Sequence, residues 1–136
     1  LHDAIEEEGI GEEVVFRGKI SSEELEEAYA SADAFIMLPI DGTRFEGFGV
    51  VYIEANAYGV PTVGAKGTAA AEAVADGVSG LLGDAKDPEE IAHLIERVAG
   101  GEIRPDDAKV HAAKYEIGKI AGRLAGLYER HAPRSR

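Results

Sequence analysis

Short β-branched apolar runs that alternate with longer helical patterns constrain this chain more than any other feature. Residues 14–16 (VVF), 34–38 (AFIML), 62–65 (TVGA) and 80–82 (GLL) read as strands, each followed by a loop and a helix pattern. Parallel strands require crossovers of this kind, so the pattern predicts an α/β domain with a mainly parallel sheet. A length of 136 residues suits one domain. At that size about 70% of the unfolded chain's surface is removed on folding, enough for a real core.

The helix boundaries are written locally. Ser21 and Glu24 form a capping box ahead of LEEAYASA. Asp87-Pro88-Glu89-Glu90 supplies an N-cap, a proline at the first helical position and a second box ahead of IAHLIERV. A C-terminal helix is expected from about residue 107 to 131, with Val110, Ile117, Ile120, Leu124 and Leu127 at helical spacing. That apolar stripe should pack against the body, and Gly118, Gly122 and Gly126 would permit close approach.

Charge narrows the partners. With 14 Lys and Arg against 26 Asp and Glu, the net charge of -12 repels a phosphate backbone and argues against nucleic acid. The charge is unevenly spread. Residues 108–136 carry seven bases and two acids, a balance of +5 that leaves -17 on the rest. The chain has no cysteine, which removes disulfides, thiolate metal sites and thiol nucleophiles and fits a cytoplasmic location. No apolar run approaches the roughly 20 residues that span a bilayer, while a peripheral membrane contact stays open.

The segment RFEGFGVVYIEANAYGVP, residues 44–61, raises the functional question, because Glu46 and Glu54 bracket a Gly-Phe-Gly turn. Two such acids can be a catalytic pair, a metal site, or two acceptors reaching different parts of one ligand. A helix is expected to begin near Phe48, which sets the Gly47 and Gly49 amides at a helix N-terminus at the carboxyl end of a strand. Free N–H groups and about half a positive charge there suit a phosphate even in an acidic protein. Glu54 lies five residues beyond Gly49, about 7.5 Å along the axis, so it addresses another part of the ligand. An ionised carboxylate accepts from two hydroxyls, and a ribose presents two side by side. The third alternative is therefore favoured.

The same residues carry a family likeness. EGFGVVYIE, an E-x7-E pattern, is preceded by VVFRGKISSEELEEAYASADAFIMLP and followed by ANAYGVPTVGA and EAVADGVSGLL. In order and spacing these resemble the C-terminal, donor-binding domain of retaining GT-B glycosyltransferases of the group 1 type. The resemblance implies a Rossmann-like fold with helices on both faces of the sheet, and a nucleotide-diphosphate sugar, such as a UDP- or GDP-sugar, as substrate. It implies that Glu46 is the catalytic-site carboxylate at the donor sugar, and that Gly47, Phe48 and Gly49 meet sugar and phosphate. Glu54 would hold the ribose, and the loop Gly18, Lys19, Ile20 would border the base. Arg44 and Lys66, with Lys19, are the bases near strand ends available to phosphate. No cofactor or metal is implied.

Two departures from the family pattern set further expectations. The donor domain's first two β-α units, with the arginine and lysine that clamp the diphosphate, are not in this sequence, and neither is the acceptor-binding domain. Residues 67–72 read GTAAAE where the family often has a Gly-Gly turn. The sheet should then either set residues 14–16 directly beside 34–38 or leave an edge for another chain, including a second copy. Activity should require the missing acceptor-binding domain or a second chain. A noncatalytic nucleotide-sugar-binding subunit is the runner-up, and an α/β interaction module without ligand a third reading.

Other chemistry has less support. His2, His93, His111 and His131 are scattered, and three fall on helix patterns where a packed or solvated imidazole is the default. Gly77-Val78-Ser79-Gly80 lacks the G-x-S-x-G spacing and reads as a turn. Nothing opposes Glu46 and Glu54 across a glycosidic bond as hydrolysis would need.

Overall fold

Three of the four apolar runs pair into a parallel sheet. In the computed structural model, which describes residues 2–39 and 48–131, these are β1 (Phe35–Met37), β2 (Thr62–Ala65) and β3 (Gly80–Gly83), in the order β1-β2-β3. Phe35 stands opposite Thr62, and Thr62 opposite Gly80. The helices are α1 (His2–Glu8), α2 (Ser22–Ser31), α3 (Val50–Ala57), α4 (Ala70–Ala73), α5 (Pro88–Ala99), α6 (Pro105–Ala112) and α7 (Ile117–His131).

Alternation along the strands sends side chains to two apolar layers. Val63 and Leu81 pack with Ile91, Leu94 and Val98 of α5 on one face. Phe35, Met37 and Leu82 meet Tyr52 of α3 and Ala70 and Ala73 of α4 on the other. The domain is thus Rossmann-like, with helices on both faces. Close approach between the layers depends on small residues: a Cβ on Gly64 would come within 2.8 Å of Ala70 Cβ.

Asn56, fully buried near the end of α3, joins three segments. Its Nδ2 donates to Val60 O at 3.0 Å and Ser79 O at 2.9 Å, and Ser79 Oγ accepts from the Ala75 amide at 3.0 Å. The expected turn at 77–80 is therefore a packed structural corner.

Capping follows the sequence at α2, where Ser21 and Glu24 exchange both bonds of the box. At α5, Asp87 caps the Glu89 and Glu90 amides, but no second box forms. Glu90 turns instead to the Asp84 amide and to Lys66, because a charged ammonium competes well for its carboxylate.

Two further expectations are corrected. Residues 14–16 form no strand: Val15 is 76% exposed, and Phe16 packs against the His2 ring at 4.2 Å. Three residues offer at most two side chains to one face, and Gly18, at φ 60°, turns the chain just beyond. Among the described residues β1 is therefore an edge strand. The C-terminal helix is also not continuous. A 3-10 turn (Ala113–Tyr115) and an extended Glu116 (ψ 135°) separate α6 from α7. The stripe is divided with it: α6 buries Ala108, His111 and Ala112, leaving Val110 exposed, and Ile117, Ile120, Leu124 and Leu127 of α7 stay exposed among the described residues.

The β2–β3 contact generates a stability prediction. A Cβ at Gly80 would lie 2.2 Å from the Thr62 carbonyl oxygen, a backbone atom that cannot swing away. Gly80→Ala should lower stability by about 3 kcal/mol, roughly 10 °C in Tm. Gly118→Ala, at a helical position with open space around it, should be neutral or stabilising by up to about 1 kcal/mol. Thermal melts of the two variants check both.

Candidate functional site

Because the strands run parallel, the segments leaving them gather at one end of the sheet, where ligands of open α/β domains sit. Arg44, Glu46 and Gly47 lie outside the described residues.

The start of α3 is fixed by Tyr52. Its ring is fully buried, and its hydroxyl donates to Met37 O at 2.6 Å, which ties the first turn of α3 to the last residue of β1. Phe35 meets the same ring edge-on at 5.7 Å. Gly49 caps α3 in the left-handed conformation at φ 75°, and a Cβ there would lie 3.0 Å from Tyr52 Cδ2. Glycine is required at this position on both counts. Gly49 offers no side chain to cap the helix, and the Tyr52 amide bonds the Gly49 carbonyl at 3.1 Å. Phe48 is 37% exposed and tilts against Tyr115 at 5.2 Å. It opens a groove of about 430 Å³ shared with Tyr115, Ile120, Arg123, Leu124 and Leu127.

Glu54 lies on the exposed side of α3. Tyr29 of α2, 8% exposed, lies near it. Burial first, and then the negative charge of Glu54, hold the Tyr29 pKa above the ordinary 10.0. The Tyr29 ring stacks on Tyr58 at 5.6 Å and 20°. Sequence reasoning did not single out Tyr29. Its one signal was a large aromatic, four residues after Leu25, in an otherwise acidic helix.

The remaining expected residues are less closely gathered. Lys66 follows β2 at the expected end of the sheet, but its ammonium pairs with Glu90 at 2.8 Å. The Glu90 bond and the nearby carboxylates of Asp76 and Asp84 raise its pKa. Its charge is therefore largely matched within the fold. Gly18 and Lys19 are exposed and Ile20 is partly buried, all just before α2, whereas Tyr29 is eight residues into that helix, about 10 Å further on. His111 is structural: Nε2 bonds the Ala73 carbonyl at 2.8 Å and Nδ1 is buried without a partner. No group of side chains suited to a metal ion occurs among the described residues.

Comparison with known proteins adds to this geometry. The profile of the family described as "Glycosyl transferases group 1" matches residues 1–115. A D-inositol 3-phosphate glycosyltransferase of Corynebacterium urealyticum is 35% identical over 94% of this chain and 30% of its own length. A GDP-mannose-dependent α-(1-6)-phosphatidylinositol monomannoside mannosyltransferase of Mycolicibacterium smegmatis is 42% identical over 64% of this chain and 24% of its own. The structure of Anabaena HepE in complex with UDP superposes with a TM-score of 0.77 at 25% identity, over 95% of this chain and 35% of that one. Sucrose-phosphate synthase from Thermosynechococcus elongatus gives 0.72 at 26% identity. The chain thus spans about a third or less of the proteins it matches.

The Tyr29 environment sets a pH prediction. A raised phenol pKa favours the folded state below pH 10.0, and that contribution disappears as pH rises through the higher folded value. In alkaline spectrophotometric titration Tyr29 should ionise above 10.0. Glu54→Gln should bring it down only part of the way, because burial is the larger cause.

Proposed function

This chain belongs to the glycosyl transferases group 1 family, and from that premise we propose that it binds the nucleotide-diphosphate sugar for retaining transfer to an acceptor hydroxyl. The observation that carries this reading is the build of α3: a glycine-capped N-terminus tied to the carboxyl end of β1, with Glu54 exposed further along the same helix. Gly49 lets the diphosphate approach, and the start of α3 with its helix dipole stabilises the charge it gathers on leaving. Glu54 accepts from the ribose hydroxyls, and Glu46 stands at the sugar. Acid-base work by the pair is not needed. The UDP of the HepE structure and the GDP-mannose of the mannosyltransferase's name support a UDP- or GDP-sugar as donor.

Binding by this chain alone should be weak, since Lys66 is engaged by Glu90 and the surrounding ends of the sheet are acidic. Glu54→Ala should reduce affinity for UDP or GDP by about 1.5–3 kcal/mol, the scale of hydrogen bonds to a charged group. Glu46→Ala should chiefly remove the advantage of nucleotide sugar over bare nucleotide. Calorimetric titration of wild type and both variants checks this; equal affinities throughout would sink the assignment.

Transfer needs a second wall to exclude water and orient the acceptor, and orientation alone is worth about 7–11 kcal/mol of barrier. With mixed radiolabelled donors, the chain alone should transfer to no acceptor, and adding a polypeptide with the acceptor-binding domain and the two further β-α units should restore turnover. Robust turnover by the chain alone would overturn this reading.

A further inference from the structure

We propose that α7 is an interfacial helix that seats this domain on the surface of an anionic phospholipid bilayer. Successive residues of an α-helix step by about 100°, which places Ile117, Ile120, Leu124 and Leu127 within an arc of about 80°. All four are exposed, Ile117 at 87%. Across the groove of about 430 Å³ the same apolar surface continues to Phe48 and Tyr115. Lys119, Arg123 and Arg130 fall within about 40° of one another, in a single row along one border of that arc. A helix with an apolar face and a row of bases beside it suits the plane of a membrane interface, where the apolar side chains enter the acyl boundary and the bases reach lipid phosphate.

Charge identifies the partner. Residues 108–136 carry +5 and the rest of the chain -17, so an anionic surface attracts this end of the protein and repels the remainder, which turns α7 toward it. The sequence of α7 holds three Lys and Arg against one acid, Glu129, and residues 132–136 add Arg134 and Arg136. Two of the bases make exposed contacts only. Lys119 bonds the Ala113 carbonyl at 2.7 Å and pairs with Glu116 at 3.4 Å, both side chains more than half exposed, and Arg123 donates to the Lys114 carbonyl. An exposed pair of this kind contributes little, so phosphate oxygens can replace it. A protein partner would have to match the row with carboxylates at fixed spacing, whereas a lipid surface presents phosphate at every position.

The test is co-sedimentation of the full 136-residue chain with phosphatidylcholine vesicles that contain or lack phosphatidylglycerol. The chain should sediment with the anionic vesicles at low salt and stay in solution with the neutral ones. Changing Lys119, Arg123 or Arg130 to Gln should lower affinity for the anionic vesicles about 5-fold per base. Leu124→Gln, which leaves the charge unchanged, should lower it about 5- to 10-fold. These side chains are exposed, so each variant should keep the wild-type circular dichroism spectrum. The chain has no cysteine, so Ile120→Cys and Gly122→Cys can each carry one environment-sensitive dye. On anionic vesicles the dye at position 120, inside the apolar arc, should shift to the blue, and the dye at position 122, on the opposite side of the helix, should not. Equal sedimentation with both vesicle classes, or a dye shift at both positions or at neither, overturns the proposal. Sedimentation with neither class overturns it too, and a concentration-dependent dimer that Leu124→Gln dissociates would then assign the face to a second copy of the chain.

Discussion

The hydrogen bond from Tyr52 to the Met37 carbonyl is the constraint on which the site depends. Its donor is fully buried and its acceptor half-buried, and it spans from the first turn of a helix to the last residue of a strand. A helix N-terminus can serve an anion only if it is held where the anion arrives. Here the phenol fixes that position, and Gly49 admits the phenol by having no side chain of its own. Gly49 thus has a packing reason of its own.

Around that point the core divides the labour. The α5 layer is aliphatic and packs on Val63 and Leu81, while the α3 layer is aromatic and small, with Tyr52, Phe35 and alanines. The polar corner formed by Asn56 and Ser79 holds the far end of α3, so both ends of the helix that carries Gly49 and Glu54 are tied to the sheet. A rigid element is a sound support for ligand contacts. Charge is arranged less favourably for an anion: Lys66 answers Glu90, Asp76 and Asp84.

Much of the fold was legible in the sequence because its signals are local. Residues 34–38, 62–65 and 80–82 are apolar runs with partners on both sides or a sheet to close, and they formed strands at or within a residue of the expected bounds. The Ser21–Glu24 box needs only four consecutive residues and formed as written. The run at 14–16 looks similar in isolation, yet a strand exists only through its neighbour's ladder, and composition cannot report whether one is there. The single C-terminal helix failed for a related reason: helical spacing continues through Glu116, but the backbone does not. Near the candidate site, the helix start at Gly49 was legible in the local pattern, while Arg44, Glu46 and Gly47 lie outside the described residues.

By itself the sequence determined the fold class, the helix start at the glycine turn and the placement of Glu54 one helical stretch beyond it, because periodicity and capping act over a few residues. Only the tertiary structure decided that Tyr29 lies near Glu54 and that Lys66 is held by Glu90, pairs separated by 25 and 24 positions in the chain. Whether two distant side chains meet depends on how α2, α3 and α5 lie on the sheet. That arrangement is set by the sum of many weak packing contacts, none of which is written at the residues concerned.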